Sequence, residues 1–267
     1  MAGGGNHGKT VFCGVALGLA LFLIHGVQVD HGLTPSTAAA STGAATAPAS
    51  TATSTAVPAA VWPSDEDVDC GVVSCIALTF DDGPSQYTSQ LLDVLGAANV
   101  HATFFVVGRE IAAHTDEIAR EAAQGNEIGN HTWSHADLTK LSAEAASAEL
   151  TRTADAVQAI TGVRPTLVRP PYGAYDQAVD QLVGGPEILW NVDPRDWEDP
   201  DTAAVTQRVI DAAKPGAIVI MHDVRGTTVA AIPAILEGLL AKGLHPVTVS
   251  RLLTGDSVRA GVAYSHR

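Results

Sequence analysis

Hydrophobic positions along the chain fall into two regimes that meet near Asp67. Beyond that point, short apolar runs at 76–80, 102–107, 127–129, 166–168, 188–192, 217–221 and 246–249 alternate with longer stretches in which apolar residues recur at helical spacing. The helical stretches include 115–124, 143–161, 202–214 and 228–242. Several stop at Gly125, Gly162, Gly216 or Gly243, the residue type that accepts a left-handed cap. Strands alternating with helices predict an α/β fold: a parallel sheet rolled into a distorted, seven-stranded (β/α) barrel, short of the usual eight strands. In such barrels the rim at the carboxyl ends of the strands carries the chemistry.

Before Asp67 the pattern is different. Residues 1–9 are small and weakly basic, and 11–24 is an unbroken apolar run within a segment 10–29 that reads as a signal peptide or an N-terminal membrane anchor. No Lys or Arg occurs between Lys9 and Arg109, which places the N-terminus in the cytoplasm and the remainder outside. No small-x-small site follows Ile24 closely, so cleaved signal and uncleaved anchor both stay open. Residues 30–66, rich in Ala, Ser, Thr and Pro, have too few large apolar groups to offset chain entropy and read as a disordered tether. The folded domain is expected over 67–267, at the extracellular face of the cell envelope.

The chain has 267 residues, 46% of them hydrophobic, which suffices for one large domain with appendages. Its formal net charge of −14 argues against nucleic acid or an anionic membrane surface as a partner. Any membrane contact is expected through the N-terminal segment alone, and a monomer is expected. Of three cysteines, Cys13 lies in the apolar segment, while Cys70 and Cys75 lie just before the first strand. An oxidising compartment favours pairing Cys70 with Cys75, and two free thiols are the alternative.

The decisive stretch is 76–84, an apolar run ending in Asp81, Asp82 and the turn signal Gly83-Pro84. Neighbours on a regular strand face opposite ways, so a bend at Asp82-Gly83 is needed to bring both acids into one site. His131 and His135 follow the third run, four residues apart; on a helical turn that spacing puts both imidazoles on one face. Three further clusters end strands in the same way: Arg169 with Tyr172, Asp193 with Asp196 and Trp197, and His222 after Ile220. Singly, each has a bland reading as a surface ion pair, a capping acid or a core histidine. Together they gather ionisable residues at successive strand ends.

Thr79-Phe80-Asp81-Asp82-Gly83-Pro84, His131-x-x-x-His135, Arg169-x-Pro171-Tyr172, Asp193-x-x-Asp196-Trp197 and Ile220-x-His222 resemble, in order, the five motifs of the polysaccharide deacetylases, carbohydrate esterase family 4. The resemblance spans about residues 75–253, and departs from the family pattern at Ile220, where Leu is usual. It implies that Asp82, His131 and His135 hold one divalent metal ion, Zn²⁺ or alternatively Co, Mn or Ni. It implies Asp81 as general base, oriented by Arg169, and His222 paired with Asp196 as the acid that protonates the leaving amine. Tyr172 would stabilise the oxyanion through its backbone N–H, and Trp197 and Ile220 would wall the acetyl methyl pocket.

The implied activity is hydrolytic removal of acetyl groups from N-acetylated sugars of an extracellular polysaccharide. Peptidoglycan is favoured by the location; chitin, chitooligosaccharides and O-acetylated xylan are the alternatives. A non-catalytic wall-binding domain is disfavoured because every catalytic position carries a competent residue. A glycosidase built on Asp81 and Asp82 is disfavoured because adjacent acids cannot flank a sugar at the required separation. His101, His114, His245, Asp199 and Asp223 are assigned no role.

Overall fold

The computed structural model describes residues 62–63, 68–256 and 258–267. The expected signal or anchor and most of the expected tether lie outside the described residues. Two tether positions are described, and Trp62 is buried against the domain. Its N–H donates to Ala98 O at 3.1 Å, its carbonyl accepts from Asn99 Nδ2 at 2.8 Å, and its ring meets His245 edge-on at 5.1 Å. Among the described residues no helix is long and apolar enough to cross a membrane.

The strands are β1 (Cys75–Asp81), β2 (Thr103–Val106), β3 (Glu127–Asn130), β4 (Glu187–Ile188), β5 (Ile218–His222), β6 (His245–Val247) and β7 (Ala263–Tyr264). The α-helices are α1 (Thr88–Ala98), α2 (Thr115–Ala123), α3 (Ala143–Thr161), α4 (Gln177–Val183), α5 (Thr202–Ala212), α6 (Gly226–Ala241) and α7 (Val249–Leu252). Parallel ladders run in the order β3-β2-β1-β5, and β6 pairs with the start of β1. Single parallel bridges, Asn130 to Val168, Val168 to Glu187 and Val192 to Val219, carry the pairing around the far side. The fold is thus a distorted α/β barrel whose ladders thin to bridges on one flank.

Three of the expected strands are altered. Residues 166–168 form no strand, only the Val168 bridges, because Pro165 and Pro170 at its ends have no N–H to give to a ladder. Of the run 188–192 only Ile188 is in a strand, with Glu187 just before it. At its end Asn191 N and Val192 N both reach Ile218 O, each at 3.2 Å, and the Asn191 side chain accepts from Ile218 N, the two-against-one pattern of a bulge. The last run ends at Val247, where Thr248 turns from strand to cap and accepts from Arg251 N. Sequence periodicity did not mark β7, which pairs with β4 through two residues.

β1 is central and buried throughout, which explains its continuous apolar character. Its alternation has two destinations. Ile76, Leu78 and Phe80 join the larger core, together with residues of α1, α5 and α6. Cys75 and Ala77 join a second core with Phe105, Ile188, Ile218 and Val247. Thr79 and Asp81 continue that second face toward the rim, so strand period alone raises an aspartate in line above a threonine. Helix α3 occupies the predicted span, with Ser142 accepting from Ala145 N at its start and Gly162 at φ 76° closing it. Cys70 and Cys75 are joined by a disulfide.

Candidate active site

Asp81 ends β1 almost wholly buried. Its Oδ1 accepts from Arg169 Nη1 at 2.7 Å, and its Oδ2 lies 3.8 Å from His131 Nε2. Asp82 adopts φ 72°, the left-handed conformation that the adjacent acids required. That reversal brings Asp82 Oδ1 to 3.2 Å from His135 Nε2 and 3.6 Å from His131 Nε2.

The two histidines do not share a helical turn. They lie in an irregular loop after β3, in which Thr132 and His135 have φ of 67° and 62°. Two left-handed residues, rather than helical periodicity, put the imidazoles on one side, with ring centroids 4.9 Å apart. Asn130 fixes the start of this loop, accepting from Thr132 N at 2.9 Å and donating to Leu150 O at 2.8 Å.

Asp82, His131 and His135 each offer one ligand atom, and these atoms lie within 4.8 Å of one another, the one such grouping of three among the described residues. His131 Nδ1 is 2.6 Å from Arg169 O. A carbonyl can only accept, so Nδ1 carries the proton and Nε2 turns its lone pair toward Asp82. Burial pulls the His131 pKa down, opposed by the charges of Asp81 and Asp82, and this favours the neutral form that binds metal. Two imidazole nitrogens and one carboxylate oxygen, with space beside them, fit a divalent cation such as Zn²⁺.

Arg169 is fully buried at the core of the site. Nη1 donates to Thr79 Oγ1 and Asp81 Oδ1, each at 2.7 Å, Nε to Ile188 O at 2.9 Å and Nη2 to Leu189 O at 3.1 Å. Its guanidinium also stacks over Phe105, 4.1 Å from the ring centroid. Burial lowers its pKa, and the charge of Asp81 opposes that shift.

His222 ends β5. Its Nδ1 lies 2.8 Å from Asp196 Oδ1, its backbone N–H donates to Oδ2 at 2.8 Å, and Thr228 Oγ1 donates to the same oxygen at 2.7 Å. Burial alone would lower the His222 pKa; the hydrogen bond and charge of Asp196, with the charges of Asp81 and Asp82, outweigh it and raise it to about 9.

A cleft of about 420 Å³ is lined by Asp81, Asp82, His131, His135, Tyr172, Trp190, Asp193, Trp197, Ile220 and His222. Tyr172 is 70% exposed, at φ 63°, with its ring 4.7 Å from His135, and Trp197 is half exposed. A second, more polar cavity of about 550 Å³ shares Asp82 and His135 and extends toward Gln86, Arg109 and His114.

All ten catalytic, metal and substrate positions named from sequence therefore gather at one rim. Thr79, Asn130, Trp190 and Thr228 belong to the site as well. Trp190 and Asn130 sat beside the strand ends that drew attention, whereas Thr228, at the start of α6, carried no signal in the sequence. Asp193 lines the cleft while accepting from Arg195 N at 2.7 Å, as a turn acid does.

Residues 70–184 match the family model described as Polysaccharide deacetylase. The chain is 41% identical over 191 residues to a peptidoglycan-N-acetylmuramic acid deacetylase of Bacillus subtilis, a match covering 71% of this chain and 41% of that protein. It is 38% identical over 187 residues to a chitooligosaccharide deacetylase of Rhizobium leguminosarum bv. trifolii, covering 63% of this chain and 86% of that one. A solved structure, a T48 deacetylase with substrate, superposes with a TM-score of 0.73 at 40% identity, covering 74% of this chain and 100% of the other. The match spans about 41% of the length of the first of the curated relatives. On a shared architecture and 38% identity over 86% of the Rhizobium relative, the chain belongs to the polysaccharide deacetylase family, carbohydrate esterase family 4.

Proposed function

We propose that this protein hydrolyses acetyl groups from N-acetylated sugars of an extracellular polysaccharide, peptidoglycan foremost, using one divalent cation held by Asp82, His131 and His135. The observation that carries the reading is the meeting of that ligand triad with Asp81 on one side and His222 on the other within a single cleft. When bound, a cation such as Zn²⁺ makes a nearby water more acidic and polarises the acetyl carbonyl.

Asp81 is fitted to take a proton from water, because Arg169 occupies Oδ1 and leaves Oδ2 facing the cleft. The Tyr172 backbone N–H donates to the oxyanion as the carbonyl carbon becomes tetrahedral. His222, with Nδ1 committed to Asp196, presents Nε2 to the cleft and protonates the departing amine. Ile220, Trp190 and Trp197 form apolar surface that suits a methyl group.

The preference for peptidoglycan over chitin or acetylated xylan is supported by the sequence reading of residues 10–29 as a signal or anchor and 30–66 as a tether, which would put the domain beside the producer's own wall. The test is incubation of the purified full chain with peptidoglycan fragments, chitooligosaccharides and acetylated xylan, with and without chelator, and mass measurement of acetyl loss. Cation-dependent loss from peptidoglycan is expected. No acetate from any substrate, by a folded chain loaded with Zn²⁺, would sink the proposal.

A further inference from the structure

Asp223, the residue after His222, is fully buried, yet it lines neither of the cavities that share Asp82. Its carboxylate faces the turn that carries Asp82. Thr88 Oγ1 donates to Asp223 Oδ2, and the same hydroxyl accepts from Ser85 N at 2.7 Å. Ser85 Oγ in turn donates to the Asp223 carbonyl at 2.8 Å. Gly83 lies directly against the carboxylate: a Cβ built there would meet Asp223 Oδ1 at 2.3 Å, so only glycine lets the turn come this close. Asp223 Oδ1 has no hydrogen-bond partner among the described residues. A buried acid kept at that cost, beside a turn shaped to receive it, calls for a role that its own contacts supply.

We infer that Asp223 is a positioning residue: through Thr88 and Ser85 it clamps the 82–85 turn to the end of β5, and so holds Asp82 where it meets His131 and His135. The clamp joins both halves of the chemistry. One end is the backbone that turns Asp82 to φ 72°, and the other is the residue following His222. Gly83 O, accepting from Val107 N at 2.8 Å, ties the same turn to the end of β2. A left-handed aspartate held from both sides keeps a conformation it would otherwise leave.

This inference rests on the cation reading given above, and its test separates the two. In the full chain, Asp223→Ala and Thr88→Val are expected to weaken Zn²⁺ binding, measured by calorimetry after chelation, by about 10–100-fold, the usual effect of removing a partner that orients a ligand. Their kcat is expected to fall with KM nearly unchanged, and deuterium exchange over 82–88 to accelerate. Asp223→Asn and Thr88→Ser, which keep an acceptor and a hydroxyl, are expected to stay within about threefold of the parent. If Asp223→Ala does not fold, Thr88→Val carries the test, since it removes the hydroxyl at equal volume. A folded variant with parental Zn²⁺ affinity and parental exchange over 82–88 overturns the clamp. If the parent takes up no Zn²⁺, the cation reading falls, and exchange over 82–88 alone decides whether the clamp exists.

Discussion

Asp81 and His222 are register partners on adjacent parallel strands, the last pair of the β1–β5 ladder. Paired strands lie about 4.8 Å apart, and partner residues project to the same face of the sheet. The proposed base and acid are therefore spaced by backbone hydrogen bonds at the rim where β1 and β5 end, and the loops need only deliver metal ligands and apolar wall. Rigid placement of reacting groups is what a two-proton hydrolysis requires.

Asp81→Asn is expected to lower kcat by about 10²–10⁴-fold, the usual worth of a general base, while Zn²⁺ uptake persists. Asp82, His131 and His135 supply the ligand atoms, and Asp81 Oδ1 is already committed to Arg169. Acetate release and Zn²⁺ binding measured on one preparation check it. An Asp81→Asn chain of full activity would remove Asp81 from the mechanism.

Arg169 offers a separate, structural prediction. Its guanidinium is fully buried, with four hydrogen bonds and a stacking contact on Phe105. Arg169→Met would leave Asp81 as an uncompensated buried charge, a loss of about 3–5 kcal/mol. Urea unfolding should show it as a lower midpoint at an unchanged slope.

His222 gives a pH signature. In chelated protein its imidazole should titrate near 9, because Asp196, Asp81 and Asp82 favour the charged form more strongly than burial opposes it. The acid is then protonated at neutral pH and lost as pH rises through that value. Asp196→Asn removes the main raising partner and should bring the titration down toward or below the ordinary histidine range, together with the alkaline limb of kcat. Adding Zn²⁺ should lower it in both proteins by repulsion. NMR of the imidazole protons follows all of these shifts.

Cation binding should be visible in stability without any substrate. At about 100 times its dissociation constant, Zn²⁺ binding to the folded state alone adds about 2.7 kcal/mol. His135→Ala should abolish most of the resulting rise in Tm, since it removes one of three ligands from a partly exposed position. An equal rise in the variant would place the cation elsewhere.

How much of this site could be read from the chain depends on the kind of residue. β1 was legible because burial on both faces leaves a continuous apolar run, and its end because two acids and Gly-Pro break that run. The need for a bend at Asp82 followed from strand period, and φ 72° supplies it. The His131–His135 loop was not legible as such. Four-residue spacing suggests a helix, but left-handed Thr132 and His135 reach the same end through backbone conformations that periodicity does not encode. The bulge at Asn191 is set by which N–H groups find acceptors, a tertiary matter, whereas the prolines that interrupt the strand at 166–168 stand in the sequence itself. Asp223 carries no role in the sequence reading because nothing in sequence shows that a glycine and a threonine far upstream close over it.

Buried acids outside the site set the pH dependence of folding. Glu187 is buried on β4 with neither carboxylate oxygen hydrogen-bonded among the described residues; burial first, then the neighbouring carboxylates of Asp180 and Asp176, raise its pKa to about 7. Glu121, buried on α2 with neither oxygen hydrogen-bonded among the described residues, is raised well above the usual range by burial and then by Asp223 and Glu117. A folded-state pKa above the unfolded value means that the folded state binds the proton more tightly. Each such group contributes stability fully below its unfolded pKa near 4.5, and that contribution is lost as pH rises through the folded value. The chain should therefore be more stable near pH 5 than near pH 8 as far as these groups decide it. Glu187→Gln, which keeps the shape of the side chain without a charge, should stabilise the protein at pH 8 by on the order of 1–2 kcal/mol and change little at pH 5. Urea unfolding of parent and variant at the two pH values measures it, and an equal gain at both would mean that Glu187 acts through packing rather than through its proton.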